Sequence, residues 1–167
     1  MELLPEDRRQ IDEYLRDIRN TEEAQRMKTF LQHGTVTTYA HVMHVVCMSC
    51  FLDRKLRLHA DRRSLVRGAF LHDFYLYDWH DRTAHKRLHG FRHPVDALRN
   101  AKSRFALNAK EENVIVSHMW PLTMTRLPRC REAVIVCVSD KLCALYATFG
   151  SQNDWFVEED SFVPKEK

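Results

Sequence analysis

The sequence predicts an all-α protein that folds as a single compact helical bundle. Its 167 residues suit one domain with a substantial core, and 44% of them are hydrophobic. Glycine occurs only 4 times, which leaves little material for hairpin turns or for a glycine-rich phosphate loop. Apolar residues recur at helical spacing, and capping residues precede most of the apolar segments. These observations favour helices with short connections, and we expect no strand.

Residues 1–36 are predicted to form an N-terminal helical cover. Residues 5–32 have the pattern of two polar helices, and the first carries an apolar stripe with i, i+3, i+4, i+7 spacing. The stripe consists of Ile11, Tyr14, Leu15 and Ile18. Asn20 or Thr21 begins the second helix, and Gly34 ends it. We expect the pair to pack outside the central bundle, where it either covers the core or mediates a homodimer.

Residues 37–150 are predicted to form the helical core. Thr37 or Thr38 can cap a long helix that ends near Leu58, and Asp61 can cap a second helix that runs to His72-Asp73. Residues 74–91 show no clear period and are rich in aromatic residues and histidine. We interpret them as an irregular loop, and such loops on helical scaffolds often carry function.

Three further helices complete the predicted core. Pro94 suits the first turn of a helix that extends to about Arg104, with His93 beside its cap. Asn108 caps a helix that ends near His118, and a long apolar helix spans residues 131–149. The remaining residues, 151–167, are polar and are expected to form a frayed tail.

The overall composition narrows the functional classes. The net charge is only +3, so specific nucleic-acid binding is not expected. No segment approaches the roughly 20 apolar residues of a membrane span, and the acidic N-terminus lacks an apolar signal core. We therefore expect a cytoplasmic protein. The five cysteines form no disulfide framework, although Cys47-x-x-Cys50 leaves a zinc or redox site open.

Ionisable residues inside apolar segments give the strongest functional signal. His72-Asp73 ends the apolar run that begins at Gly68, and Asp140 lies in the middle of the last helix. His41 and His118 lie on two other predicted helices. Buried charges are normally paired, hydrogen-bonded or bound to metal. Histidine and aspartate from separate helices would make a mixed nitrogen and oxygen site for a divalent cation.

Each of these residues also has a structural interpretation. His41 could be an ordinary histidine at the edge of the core, and His118 a cation stabilised by a helix C-terminus. Asp140 could pair with Lys141 or a nearby arginine. Basic residues around 54–67 and 126–131 are either solvated helix ends or a rim that attracts a phosphorylated substrate.

The order of the histidines and aspartates resembles that of the HD-domain metal-dependent phosphohydrolase superfamily, in particular its small stand-alone bacterial members. The family pattern is His, then His-Asp, then one or two His and a distal Asp on a helical core. The segments that carry the resemblance are 68–73, 88–94, 116–118 and 139–142. His44 stands where the family often has arginine, a departure that leaves the metal ligands intact. The resemblance extends over residues 37–147.

The resemblance implies a helical HD-type core that binds one or two divalent metal ions. The ligand types are compatible with Mn, Fe, Zn, Co, Ni or Mg. The first ion would be held by His41, His72, Asp73 and Asp140. A second ion would be held by His118 and either His89 or His93, with Asp73 bridging the two. We favour His93 because it is expected to open a helix. His80 and His85 are weaker candidates.

The resemblance also implies how the substrate is handled. Asp73 would take part in catalysis through the metal, and Arg67, Lys141 and His44 would neutralise charge on a phosphate. Independently of the resemblance, the aromatic residues Tyr77 and Trp120 could either stack on a nucleobase or simply pack in the core.

The predicted activity is hydrolysis of a phosphomonoester or phosphoanhydride of a small molecule, with a nucleotide as the expected substrate. Two alternatives stay open. One is a metal-binding sensor or interaction module without turnover, and the other is a di-iron oxygenase built on the same ligands.

Overall fold

The structure of the protein, a computed structural model, describes residues 3–81 and 89–149 and is almost entirely helical within them. The all-α prediction is therefore confirmed. The helices are α1 (Pro5–Tyr14), α2 (Glu22–Arg26), α3 (Thr38–Lys55), α4 (Arg62–Leu71), α5 (His89–Lys102), α6 (Ala109–Ser117) and α7 (Arg131–Phe149). A 3-10 turn (Met27–Thr29) follows α2, and two short strands, β1 (Leu31–His33) and β2 (Val36–Thr37), precede α3.

Four helices begin where the sequence places a capping side chain. The side-chain oxygens of the four capping residues accept hydrogen bonds from backbone N–H groups in the first turn, which would otherwise have no partner. These residues are Thr21, Thr37, Asp61 and Asn108. At α6 the cap is reciprocal, since Glu111 accepts a hydrogen bond from the backbone N–H of Asn108. The predicted starts of these helices are correct.

The expectation that the chain contains no strand is wrong. The second helix ends at Arg26 rather than at Gly34, and β1 pairs with β2 in an antiparallel hairpin. Gly34 lies in the turn between them with φ of +56°, a left-handed conformation that glycine adopts at little cost. The hairpin matters because β1 carries Gln32 into the core.

The helices pack around one hydrophobic core. Helix α3 packs against α4 and α7, α4 also contacts α6, and α6 contacts α5 and α7. From the N-terminal stripe, Ile11, Leu15 and Ile18 are fully buried in this core. The apolar face formed by α1 and by the turn after it therefore covers the core of its own chain.

Helix α5 starts earlier than the sequence predicts. It begins at His89, so His93 lies inside the helix and Pro94 follows it there. The expectation that His93 opens a helix is wrong. Rings before the proline stabilise the extra turn, because His89 stacks on both His93 and Trp79.

Two predictions fall outside the described residues, namely those for His85 and for the polar tail 151–167. In the part of the chain that is described, no helix is long and apolar enough to cross a membrane.

Candidate metal centre

Four histidines and two aspartates from five helical elements meet in the core of the bundle. One comes from α3, two from the end of α4, and one each from α5, the end of α6 and the middle of α7. None exposes more than 8% of its surface. The six residues are His41, His72, Asp73, His93, His118 and Asp140.

The first half of the cluster surrounds one oxygen of Asp73. Asp73 Oδ2 lies 3.8 Å from His41 Nε2 and 3.4 Å from His72 Nε2. Asp140 Oδ1 lies 3.0 Å and 3.6 Å from the same two nitrogen atoms. Two imidazoles and two carboxylates thus direct one atom each towards a common point.

The second half surrounds the other oxygen of Asp73. Asp73 Oδ1 lies 3.3 Å from His93 Nε2 and 3.5 Å from His118 Nε2. The two imidazole nitrogen atoms are themselves 2.8 Å apart. The carboxylate of Asp73 therefore stands between two histidine pairs and offers one oxygen to each.

The spacing of these atoms fits a divalent metal ion. Donor atoms bound at about 2.1 Å to one ion lie about 3.0 to 3.4 Å apart when they are adjacent. In addition, His72 Nε2 and Asp73 Oδ1 are buried and have no hydrogen-bond partner. A buried polar atom without a partner is costly, and a bound cation would satisfy both atoms. The residues present fit a metal.

The outer nitrogen atoms of three histidines are fixed by the backbone. Each Nδ1 of His72, His118 and His93 donates to a carbonyl oxygen, which leaves Nε2 directed at the cluster. The acceptors are Ala69, Ile115 and His89, at 2.7, 2.8 and 3.1 Å respectively. As neutral imidazoles, His93 and His118 would point two lone pairs at each other, so a shared proton or a cation must lie between them.

Burial and the neighbouring charges perturb the cluster strongly. Burial alone would lower the pKa of His72, but the carboxylates of Asp73 and Asp140 outweigh it and raise that pKa to about 10. Burial would raise the pKa of both carboxyls, yet the facing histidines hold each pKa well below its usual range. Burial, followed by the nearby His72 and His93, lowers the pKa of His118 to about 3. Two buried carboxylates therefore stay ionised, and a protonated His72 offsets the charge of one of them when no metal is bound.

Gln32 supports the bridging carboxylate and is absent from the sequence predictions. Its Nε2 donates to Asp73 Oδ2 at 2.7 Å. Its Oε1 accepts hydrogen bonds from the hydroxyls of Tyr75 and Thr38. This chain of hydrogen bonds sets both the direction of the Gln32 amide and the orientation of the carboxylate. A single glutamine in a short strand carries no sequence signal that could have identified it.

Asn100 on α5 holds the segment that follows Asp73. Its Nδ2 donates to the carbonyl oxygens of Phe74 at 3.1 Å and of Tyr75 at 2.9 Å. Asn100 thereby ties α5, which carries His93, to the chain beside Asp73. This residue was also missed, because its partners are backbone atoms of a distant segment.

A cavity of about 600 Å³ opens onto the cluster. Asp73, His93, His118 and Asp140 of the cluster line it, and most of its lining surface is apolar. Of the residues expected to contact substrate, Lys141 lines this cavity, whereas His44, Tyr77 and Trp120 are not among its lining residues. His89, which was predicted as a candidate metal ligand, also lines the cavity.

Arg67 forms ion pairs that join elements of the fold, contrary to its predicted role at a phosphate. It is 2% exposed and forms ion pairs with Glu111 at 3.1 Å and Asp17 at 2.7 Å. It also donates to the carbonyl oxygen of Tyr14. A buried guanidinium with these partners joins α4 to α6 and to the N-terminal segment, so we assign it a structural role.

Lys141 lies beside the cluster but is already bonded. Its Nζ donates to the carbonyl oxygens of His118 at 3.0 Å and Cys137 at 3.1 Å, and contacts the Cys137 sulfur at 3.2 Å. It thus links α7 to the end of α6, which carries His118. His44 lies one turn beyond His41, and burial, with a smaller effect of His41, lowers its pKa to about 4. His44 is consequently neutral near pH 7 and a poor partner for phosphate.

Three aromatic candidates occupy different places. His89 stacks between Trp79 and His93, and its Nδ1 lies 3.0 Å from the hydroxyl of Tyr77. Tyr77 thus contacts His89, which lines the cavity, without lining it itself. Trp120 is 39% exposed, and its carbonyl oxygen accepts a hydrogen bond from Cys137. Neither position allows direct stacking on a ligand in the cavity as it stands.

The remaining candidates lie away from the centre. Burial raises the pKa of Cys50 to about 12 and raises that of Cys47 further, which keeps both thiols protonated and unreactive. His80 is exposed at the surface and pairs with Asp78 at 3.2 Å.

Comparison with known proteins adds no assignment, since no family model, curated protein or solved structure matches the chain.

Proposed function

We propose that the protein is a metal-dependent phosphohydrolase that acts on a phosphomonoester or phosphoanhydride of a small molecule. The observation that carries the proposal is the carboxylate of Asp73, which offers one oxygen to each of two histidine pairs. Enzymes that cleave phosphate esters often hold two metal ions about 3.5 to 4 Å apart. A carboxylate between two sets of ligands is the arrangement that such a pair requires.

The side chains have distinct roles in this proposal. His41, His72 and Asp140 would hold one ion, and His93 and His118 the other. A bound divalent ion supplies a hydroxide near neutral pH and polarises a phosphoryl oxygen. Lys141, beside Asp140 in the cavity, adds positive charge near the phosphate.

The donor set favours particular metals. Four imidazoles and two carboxylates suit Mn, Fe, Co, Ni or Zn better than Mg, which prefers oxygen ligands and retains several waters. A cytoplasmic location and possible homodimer formation stay as expectations beside this proposal.

The proposal is tested by the release of phosphate. Protein stripped with a chelator should release no phosphate from a panel of nucleotides, sugar phosphates and aryl or alkyl phosphates, and activity towards at least one of them should return with one of the listed metals. His118→Ala should abolish the activity, whereas His80→Ala, an exposed histidine outside the cluster, should retain it. Metal binding without turnover would favour a sensor module, and metal-dependent oxygen uptake without phosphate release would favour the oxygenase. Either result would overturn the hydrolase assignment.

A further inference from the structure

Two chemically different groups of residues line the cavity beside the metal centre. One group comprises the ionised carboxylates and the imidazoles of the cluster. The other group forms what we call the apolar end, and its residues are Trp79, Met119, Pro121, Leu122 and Ala144. Most of the lining surface of the cavity as a whole comes from apolar atoms.

A row of flat rings connects the two groups. The rings of Trp79 and His89 are nearly parallel, with centroids 5.4 Å apart and an interplanar angle of 13°. His89 in turn stacks on His93, with centroids 4.6 Å apart and an angle of 21°. Because His93 belongs to the metal centre, this wall runs from the centre into the apolar end. A flat or elongated apolar group attached to a phosphate could lie along it.

Three polar side chains that line the cavity outside the metal ligands, those of Gln32, Lys141 and His89, already have hydrogen-bond partners. Gln32 is bonded to Asp73, and Lys141 to two carbonyl oxygens. Nδ1 of His89 faces the Tyr77 hydroxyl at 3.0 Å. A ribose or a base edge placed at the apolar end would meet few free donors or acceptors among the described residues. A ligand binds more weakly when its polar groups are buried without hydrogen-bond partners, so the apolar end of the cavity disfavours ligands with polar groups there.

We propose that the apolar end of the cavity binds an aryl or alkyl group, so that the substrate is a phosphate monoester of an apolar alcohol rather than a nucleotide. This inference rests on the proposed phosphohydrolase activity for its turnover, but not for its binding preference. The phosphate would face the metal centre, and the apolar group would contact Trp79, Met119 and Leu122.

Binding is tested separately from turnover with phosphonates, which have the phosphate shape but are not hydrolysed. Protein loaded with Mn²⁺ should bind benzylphosphonate about 10- to 100-fold more tightly than methylphosphonate, as expected for burial of roughly 100 Å² of apolar surface. Adenosine 5′-monophosphate should compete poorly. Equal affinity for the two phosphonates, or tighter binding of the nucleotide, would overturn the inference.

Turnover is tested with substrates that have similar leaving groups. The value of kcat/KM for 2-phenylethyl phosphate should exceed that for glycerol 3-phosphate by at least about 10-fold, mainly through KM. Leu122→Asn should remove this preference, whereas Leu127→Asn, a similarly exposed leucine outside the cavity lining, should keep it. A preference unchanged in Leu122→Asn would contradict the placement. Selective phosphonate binding without turnover of any ester would refute the hydrolase proposal and leave the binding inference standing.

Discussion

Replacement of Gln32 by leucine tests whether the hydrogen bonds around the bridging carboxylate prepare it for metal binding. Gln32 is 7% exposed, and its amide is the side-chain donor at Asp73 Oδ2. Leucine has a similar volume but cannot donate, so the carboxylate would be free to rotate away from the two histidine pairs. We expect the fold to persist and the metal affinity to fall.

The size of the effect follows from the type of hydrogen bond. A hydrogen bond to a charged group contributes about 1.5 to 3 kcal/mol, and each 1.4 kcal/mol corresponds to about a tenfold change in a binding constant. Replacing a residue that orients a metal ligand typically costs about 10- to 100-fold in affinity. We therefore expect Gln32→Leu to weaken Mn²⁺ binding by about 10- to 100-fold.

Calorimetric titration of the chelator-treated protein with Mn²⁺ provides the measurement, with circular dichroism as a check on folding. Gln25→Leu is the matched control, because Gln25 donates only to the backbone of Arg19, outside the cluster. Thr38→Val removes a donor from the far side of Gln32 and should have a smaller effect. A folded Gln32→Leu protein that binds Mn²⁺ within twofold of the wild type would refute the reasoning.

Three further predictions concern stability and are measured by urea unfolding. Arg67→Ala should destabilise the protein by about 3 to 5 kcal/mol, because it leaves the buried Glu111 carboxylate without its partner; a loss below about 1 kcal/mol would argue against the assigned role. Gly68→Ala should cost about 1 to 3 kcal/mol, since the new Cβ would lie 2.8 Å from both Cβ and Cγ1 of Val114, and Val114→Ala, which removes Cγ1, should recover part of it; a stabilised Gly68→Ala protein would be inconsistent with this close packing. Asn108→Ala should cost about 1 kcal/mol through loss of the α6 cap, and no change would show that the cap contributes little.

The features of the fold that the sequence predicted are those encoded locally. Asp61 and Asn108 bond to backbone N–H groups within three residues, so their capping role depends on neighbouring residues alone. The helical turn from His89 to His93, before Pro94, is accompanied instead by contacts of His89 with Trp79 and His93, and the pattern before Pro94 does not encode them. The hairpin around Gly34 was missed for a similar reason, because its strands are only two or three residues long.

The ligand candidates in the site were predictable because ionisable residues in apolar helices need a partner. His72, Asp73 and Asp140 stood out on this ground, and the structure brings them together. The supporting residues were not predictable, since Gln32 acts through a partner 41 positions away. Arg67 was misassigned for the same reason, because Glu111, 44 positions distant, takes up its charge in the fold.

The most direct test of the metal centre is the metal content of the protein, measured by mass spectrometry after purification without a histidine tag. The wild type and Asp73→Ala should be compared, with Asp78→Ala as a control because Asp78 is a surface residue paired with His80. One to two transition-metal ions per chain in the wild type and in Asp78→Ala, lost in Asp73→Ala, is the result we predict. If neither the wild type nor the variants hold metal after incubation with Mn²⁺ or Fe²⁺, the cluster is a structural one and the account is contradicted.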